Sequence, residues 1–406
     1  MTLGRLFGVN ALIRVAAAMS GQLFAFLLAE KLGARGSEGA IWVGLLAACF
    51  FASELAFAPF AGRLGDAHGQ ARVLRRAPLF GVITGLAAAL AGGVEAPLSI
   101  LVGVLAIARI VEGLGAAFAV PTTLALLAGH TSSGVARRTR VMGLFEVSSL
   151  VAMVLGYALA GVGWDHLGWR AFLLLTPIYV AARLLLGGLA APNAAPSAPS
   201  PVSTWQALAR FAEDRNHLAF AGAWLSVNAV VGLWMQQTPY LLRLPERSPT
   251  QSLVGGFSGT EIGAVFAVWG VTFLVGIGGW ALFAARMPRR RALTVSLFGM
   301  LGVVVSLFAA NRGAGPWALG LAAACVLVES GFTPSALAYL ADATEKAAGV
   351  RGTTMGIYSL LLGGGQLAGG LLGGPVAARW QMNGLLGATG ALAAVALVCV
   401  RAMRVR

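Results

Sequence analysis

The sequence predicts an all-α membrane protein whose twelve transmembrane helices form two pseudo-symmetric six-helix bundles. Three observations predict this fold class. Hydrophobic residues make up 58% of the 406 residues and charged residues only 11%, against roughly 45–50% and about 25% in soluble domains. Apolar runs long enough to cross a bilayer recur along almost the whole chain. The second half also repeats features of the first half at a nearly constant offset.

The composition excludes several other classes of protein. Backbone polar groups in hydrocarbon must be satisfied internally, and these runs are too long and continuous for the alternating strands of a barrel. The net charge of +14 is interpreted as basic loops at a membrane rather than a nucleic-acid interface. The spacing of Cys and His residues predicts no disulfide and no metal site. The sequence contains no phosphate loop, nucleophile elbow or HExxH motif, so we predict neither a cofactor nor an enzyme.

The transmembrane spans are assigned by cutting the chain at charged, Pro-rich and Gly-rich breaks. About 20 helical residues cross a hydrocarbon core of roughly 30 Å. The predicted spans are 7–29, 40–61, 77–94, 98–128, 140–163, 171–190, 217–242, 259–284, 292–310, 315–340, 353–378 and 381–400. The first of them is expected to be a retained span rather than a removed signal peptide.

Basic residues predict the orientation and the domain division. With both termini in the cytoplasm, the segments on that side hold nineteen Lys and Arg residues and the opposite side holds seven. This asymmetry predicts a multi-pass protein of the cytoplasmic (inner) membrane with both termini inside. The Pro-rich linker 191–216 separates an N-terminal bundle, residues 1–190, from a C-terminal bundle, residues 217–406. The second part of the linker is either a short interfacial helix or an irregular connector.

An internal repeat supports the division into two bundles. Matches recur at an offset of 213 or 214 residues, and a buried acid matches after a small shift. Gln22 and Leu27-Leu28 match Gln236 and Leu241-Leu242. Met142-Gly143, Gly156 and Gly161 match Met355-Gly356, Gly369 and Gly374. Val111-Glu112 matches Val328-Glu329. A duplicated six-helix unit typically places a binding site near the midplane between the repeats.

The loop after span two carries the most specific motif. Its residues Gly62, Leu64, Asp66, Gly69 and Arg72 follow the pattern Gly-x-Leu-x-Asp-x-x-Gly with a basic residue behind it. The chain here resembles the major facilitator superfamily, and closest in character are its bacterial drug and metabolite exporters. The resemblance covers essentially the whole chain and implies a transporter that rocks two six-helix bundles around a central site.

The resemblance also implies roles for particular residues. Asp66 is expected to accept hydrogen bonds from the start of span eleven, around Gly352 and Thr353, and so to lock the cytoplasmic side, since a carboxylate is favoured at a helix N-terminus. Arg109 with Gly113 looks like the family's Arg-x-x-x-Gly element in span four, which is often linked to proton coupling. Span five departs from the exporter pattern because it lacks a Gly-Pro pair.

Ionisable side chains at membrane depth are expensive and are functional candidates by default. Six are assigned to coupling of protons or substrate. Arg14 and Glu54 lie at similar heights and are expected to pair. Arg109 and Glu112 share a helix face three residues apart. The partner of Glu146 is left open between Arg109 and a backbone donor, and Glu329 has no Lys or Arg in its own span.

Polar and aromatic side chains on the first helix of each half are expected to line the substrate cavity. They are Asn10, Gln22, Asn228, Gln236, Gln237 and Trp234. The sequence therefore predicts a monomeric secondary transporter for a small amphipathic or apolar solute, with proton-coupled efflux favoured by the resemblance. The expected partners are the small-molecule substrate, protons and the lipid bilayer. Lipid or lysolipid translocation, uncoupled facilitation and a non-transporting receptor or scaffold are the alternatives.

Overall fold

The computed structural model describes residues 3–33, 37–130, 135–187, 213–283, 287–345 and 351–403. Within its helices, the side chains of residues 37, 128–130, 135–140, 142, 283, 340–345 and 351–359 are outside the described set. Every regular element of the described residues is helical. The predicted all-α membrane class is therefore confirmed.

Thirteen α-helices and one 3₁₀ segment follow one another along the described residues. The helices are α1 (Leu3–Leu32), α2 (Ser37–His68), α3 (Gln70–Leu74), α4 (Ala77–Gly93), α5 (Leu98–His130), α6 (Val135–Leu167), α7 (Leu175–Leu185), α8 (Arg215–Arg243), α9 (Gly259–Phe283), α10 (Arg289–Asn311), α11 (Pro316–Glu329), α12 (Phe332–Glu345) and α13 (Arg351–Ala402). The 3₁₀ segment, Gly168–Leu174, joins α6 to α7. The linker 191–212 lies outside the described residues.

Ten helical segments of the described chain are long and apolar enough to cross a membrane. Two of them, Gly143–Leu185 and Leu360–Ala402, are 43 residues long. Each is interrupted internally. The first contains Gly168 at φ 56° and the 3₁₀ segment, and the second contains Gln381 at φ 52° and ψ −132°, values that no α-helix adopts.

The predicted span 315–340 corresponds to Pro316–Tyr339, which is long and apolar enough to cross a membrane. A turn that was not predicted interrupts it, because α11 ends at Glu329 and α12 begins at Phe332. Ser330 and Gly331 form a turn between them.

The chain divides into two compact units. Unit 1 comprises Met1–Arg35, Leu45–Ala198 and Phe257–Gly270, and unit 2 comprises Gly36–Gly44, Pro199–Gly256 and Val271–Arg406. In unit 1, α1 packs against α6, and α4 packs against α5. In unit 2, α8 packs against α13, and α10 packs against α11.

The helix packing inside each unit follows the sequence repeat. An added Cβ on Gly156 would meet the carbonyl oxygen of Val15, and one on Gly369 would meet the carbonyl oxygen of Ala229. The two glycines are 213 residues apart and the two carbonyl groups 214. Because association of helices in lipid depends on close packing at small residues, these matched contacts give the repeated glycines a shared structural reason.

Each unit has its own apolar core. In unit 1, the core at the start of α1 includes Leu6, Phe118, Leu127, Phe145 and Leu186. In unit 2, the rings of Phe220, Trp224 and Phe332 stack in series, with Tyr339 against Phe220. These cores fix the helices that carry the polar side chains.

Candidate functional site

The centre of unit 1 holds a buried ion pair on α5. Arg109 Nη1 donates to Glu112 Oε2 at 2.5 Å, and the two side chains are 3% and 4% exposed. The spacing of three residues places both on one face of the helix, as the sequence predicts. A buried charge pair needs further contacts to offset its desolvation, and the surrounding helices supply them.

Aromatic rings enclose the guanidinium group. Arg109 Cζ lies 4.5 Å from the ring centre of Phe50 on α2 and 5.1 Å from that of Phe24 on α1. Ring faces attract such a cation more strongly where water is excluded. One turn before Phe24, Ser20 on the same face of α1 lies beside the Glu112 carboxyl group. Helix α1 therefore contacts both members of the pair.

The backbone of α5 is held in place on both sides of Arg109. Thr84 on α4 donates to the carbonyl of Ala108 at 3.0 Å, and Ser53 on α2 donates to the carbonyl of Ile110 at 2.8 Å. Gly113 lets α2 approach, because a Cβ there would lie 3.0 Å from Ser53 Cβ. The Arg-x-x-x-Gly element is thus a packing site as well as a source of charge.

The hydrogen-bonding capacity of this centre is not filled. Both polar atoms of the Gln22 amide have no hydrogen-bond partner within the described part of the chain, whereas Ser20 and the Glu112 carboxyl group face each other. Gln22 and Ser20 are fully buried. Unfilled buried polar groups are rare in native proteins and each calls for an explanation.

A second charged group lies on α1, α2 and α6. Arg14 is within electrostatic range of both Glu54 and Glu146, although it makes no direct ion pair with either among the described residues. Arg14 and Glu54 are partly accessible and Glu146 is exposed. The expected partner of Glu146 was Arg109 or a backbone donor, whereas the structure places Arg14 near it.

Asn10 and Ser149 connect the helices that carry this second group. Asn10 Nδ2 donates to Ser149 Oγ at 2.9 Å, which joins α1 to α6 inside unit 1. Arg14 follows Asn10 by one turn of α1, and Glu146 precedes Ser149 by one turn of α6. Asn10, predicted as a cavity residue, is buried in this contact.

The cavity residues predicted in unit 2 contact other parts of the unit. Trp234 Nε1 donates to Thr389 Oγ1 at 2.7 Å, and Gln237 Nε2 donates to the carbonyl of Ala40 at 3.0 Å. Asn228 Nδ2 donates to the carbonyl of Trp224 in its own helix at 2.9 Å. Gln236 is partly accessible. Glu329 lies at the end of α11 and is also partly accessible.

The loop motif forms the turn between α2 and α3. Gly69 adopts φ 92°, a conformation that favours glycine. Gln70 Nε2 donates to Asp66 Oδ1 at 3.0 Å, so a neutral amide contacts the carboxylate. Asp66 and Arg72 are exposed, whereas Leu64 packs on the unit 1 core. An added Cβ on Gly62 would meet no atom within 4 Å.

The expected partners of Asp66, Gly352 and Thr353, have side chains outside the described set. The described residues instead show a carboxylate at another helix N-terminus, which sequence reasoning missed. Asp165 at the end of α6 accepts from the backbone N–H groups of Gly259 at 2.8 Å and Thr260 at 2.7 Å. A lone acid at the end of a predicted span was the available signal.

No group of three or more metal-ligating side chains occurs in the portion of the chain that the structure describes. The charged side chains described above can bind protons or a polar part of a solute, and the ring faces of Phe24 and Phe50 bind the Arg109 guanidinium.

Comparison with known protein families identifies the family to which this chain is similar. The sequence profile described as Major Facilitator Superfamily matches residues 6–255. The cephamycin export protein CmcT of Amycolatopsis lactamdurans is 35% identical over 134 residues, which cover 32% of this chain and 26% of that protein. The chain therefore spans about a quarter of the length of this curated relative.

Two solved structures share the fold. The nucleoside transporter NupG, as its D323A mutant, superposes with a TM-score of 0.74 at 12% identity and covers 98% of both chains. A D-xylose-proton symporter superposes with a TM-score of 0.69 at 15% identity and covers 97% of both chains. At these identities the two likenesses establish the fold alone.

Proposed function

The chain belongs to the major facilitator superfamily and is a membrane transporter, not an enzyme; on that premise we propose that it exports a small amphipathic or apolar solute across the cytoplasmic membrane. Export proceeds by alternating access and is driven by protons. The matching relative is an export protein, which supports the direction.

The observation that carries the proposal is the buried centre of unit 1. Arg109 and Glu112 are almost fully buried at membrane depth, and Ser20 of the neighbouring helix lies beside the Glu112 carboxyl group. Ionisable side chains are costly inside a membrane, and where they occur they typically belong to a substrate or coupling site. This buried pair is therefore proposed to couple binding to the conformational change.

The roles of the remaining charged residues follow from their accessibility. Arg14, Glu54 and Glu146 are more accessible than the Arg109–Glu112 pair and are proposed to contact the solute. Glu329 occupies the corresponding region of the second half, and we assign it the transported proton. In unit 2 the partly accessible Gln236 is also proposed to contact the solute.

The proposed architecture has twelve spans. At 1.5 Å per residue a helix of 43 residues would be about 65 Å long, twice the thickness of the hydrocarbon core. The interruptions at Gly168 and Gln381 therefore divide each of the two long segments into two spans. The spans form the bundles 1–190 and 217–406, joined by the linker 191–216, in a monomer with both termini in the cytoplasm.

The exposed apolar side chains support the lipid-facing surface that this architecture needs. Leu90, Ile107, Val268, Val305 and Val398 are each more than 60% exposed. In water such a surface would favour aggregation, whereas lipid covers it without cost.

The proposal is tested by reconstituting the purified protein in liposomes loaded with ethidium, an amphipathic fluorescent dye, and imposing a pH gradient. Thermal stabilisation by a panel of drugs, sugars and lysolipids is measured in parallel, because a ligand that binds the folded state raises its unfolding temperature. Gradient-dependent dye movement, or stabilisation by drug-like solutes, supports export. Stabilisation by lysolipids alone would favour lipid translocation, and transport that ignores the gradient would favour facilitation.

A further inference from the structure

Glu329 lies directly before a break between two helices of unit 2. Helix α11 ends at Glu329 and α12 begins at Phe332, with Ser330 and Gly331 in the turn. Neither proline nor a positive φ angle occurs at these two turn residues. The Ser330-Gly331 pair weakens the helix here, and Pro334 cannot donate to the Ser330 carbonyl. A contact from another helix adds to these local causes.

In this contact, side chains occupy a backbone carbonyl group of the helix. In a continuous helix, the Leu327 carbonyl would accept from the N–H of Gly331, four residues later. It accepts instead from Trp280 Nε1 of α9 at 3.1 Å and from Ser330 Oγ at 2.8 Å. The Gly331 N–H is left with a long contact of 3.4 Å to the carbonyl of Val328.

Neighbouring helices pack against this break from two directions. A Cβ added to Gly331 would collide with the indole ring of Trp280, and one added to Gly276 of α9 would lie 2.9 Å from the Leu327 oxygen. On another side, a Cβ added to Gly299 of α10 would lie 2.6 Å from the backbone nitrogen of Glu329. Glycine at these positions lets α9 and α10 reach the break, and Trp280 is the residue that donates into it.

We propose that Trp280 is a positioning residue for Glu329, and that it acts by occupying the Leu327 carbonyl and so holding the helix break open. This inference rests on the proposed role of Glu329 as proton carrier. Without the indole donor, the Leu327 carbonyl is available to the Gly331 N–H, and α11 extends across Gly331 toward α12. The next helical turn, which contains Thr333 four residues after Glu329, then covers the carboxyl group.

Amide hydrogen exchange tests the break itself on the full-length protein in detergent. The variants are Trp280→Phe, which keeps a ring and removes the donor, and Trp280→His, whose imidazole N–H has a similar reach. Trp317→Phe, at an exposed position of α11, is the matched control. We expect the Gly331 amide to exchange several-fold more slowly in Trp280→Phe, and at the wild-type rate in Trp280→His and Trp317→Phe. Wild-type exchange in Trp280→Phe would overturn the proposal.

Modification of Glu329 by dicyclohexylcarbodiimide reports its position. This apolar reagent labels protonated carboxyl groups, and peptide mass spectrometry gives the rate at Glu329 relative to that at Glu112 in the same sample. We expect several-fold slower labelling of Glu329 in Trp280→Phe and recovery in Trp280→His. An equal change in the labelling rate at both acids would indicate a general change in reagent access and would overturn the positioning role. Neither readout uses transport, so a failure here is distinct from a failure of the proposed coupling by Glu329, which is measured with Glu329→Gln.

Discussion

At the scale of single residues, the chemistry of unit 1 depends on what surrounds Arg109. A guanidinium inside a membrane needs a counter-charge, and Glu112 provides it one turn away. The rings of Phe24 and Phe50 add attraction without adding a second negative charge. The pair therefore stays neutral overall, and protonation of Glu112 would leave a buried cation without its counter-charge.

Replacement of Glu112 should destabilise the protein. In Glu112→Gln the guanidinium keeps a hydrogen-bond acceptor and loses its counter-charge. Removal of one partner of a buried pair typically costs about 3–5 kcal/mol, and we expect a loss near 3 kcal/mol because the acceptor survives. Thermal unfolding in detergent measures it. Glu54→Gln, which has no direct ion pair to lose among the described residues, is the control. An unfolding temperature equal to wild type for Glu112→Gln would contradict the stabilising role of the pair.

The residue types of this site could be predicted from the sequence, but its enclosure could not. The spacing of Arg109 and Glu112 fixes their contact because both lie on one helix. Phe24, Phe50 and Ser20 come from distant parts of the chain, so only packing brings them to the pair. The same reason explains Glu146, whose charged neighbour is Arg14 of α1 and not a residue of α5.

At the scale of elements, helix ends and helix breaks carry much of the polar chemistry. Asp165 accepts two hydrogen bonds at the start of α9, where the helix dipole favours a carboxylate. Just inside these contacts, an added Cβ on Gly161 would lie 3.2 Å from Gly263 Cα, so the two helices meet backbone to backbone. The position 213 residues after Asp165 is Ala378, so the repeat does not duplicate this cap.

Removal of the Asp165 carboxylate should loosen the start of α9. Loss of an N-terminal cap costs about 0.5–2 kcal/mol, and Asp165→Ala removes an acceptor of two N–H groups. We expect faster amide exchange at Thr260 and a lower unfolding temperature, while the neighbouring exposed variant His166→Gln keeps both at wild-type values. Unchanged exchange at Thr260 in Asp165→Ala would show that the cap contributes nothing to this helix end.

The loop motif leads to a prediction about Asp66. Asp66→Asn removes the charge that is expected to favour the start of span eleven and should shift the population toward the inward-open state. Distances between spin labels across the cytoplasmic side report the shift. Gln70→Ala removes the local amide contact and keeps the carboxylate, and so should retain the wild-type distribution. Identical distributions for Asp66→Asn and wild type would remove the lock from the mechanism.

Helix positions follow from hydropathy, whereas not every interruption does. The predicted spans lie on the observed helices because each needs a long apolar run. The break at Ser330 and Gly331 was not predicted, since one of the contacts that accompany it comes from Trp280 of another helix. The boundary near Gln381 was predicted, because the charged residue Arg379 separates the spans 353–378 and 381–400. The Gln381 side chain accepts from Gln251 Nε2 at 3.1 Å. No local sequence pattern predicts this contact, because the two residues are 130 positions apart.

At the scale of the whole molecule, the proposed orientation rests on the distribution of basic residues. The difference of nineteen against seven predicts that the linker 191–216 faces the cytoplasm. In Ser197→Cys, on a background with Cys49, Cys325 and Cys399 replaced, an impermeant thiol reagent should label the protein in inverted vesicles and leave intact cells unlabelled. A cysteine at Arg247, in a segment assigned to the outside, should show the opposite pattern. Rapid labelling of position 197 in intact cells would reverse the topology.

The coupling mechanism is a property of the whole transporter, because a proton bound in one half must change the access of solute to both. Glu329 has no Lys or Arg in its own span, and its carboxyl group can therefore lose its charge by protonation without leaving a buried cation unpaired. Glu329→Gln is permanently neutral, so we expect it to permit rocking and to lose the response to the gradient. Liposomes loaded with ethidium are assayed with and without an imposed pH gradient. Glu329→Gln should show dye exchange at near the wild-type rate and no gradient-driven dye movement. Glu112→Gln should impair both exchange and gradient-driven movement, since it leaves Arg109 without a counter-charge. Full gradient-driven dye movement by Glu329→Gln would transfer the coupling role to Glu54 or Glu146, or would leave uncoupled facilitation as the mechanism.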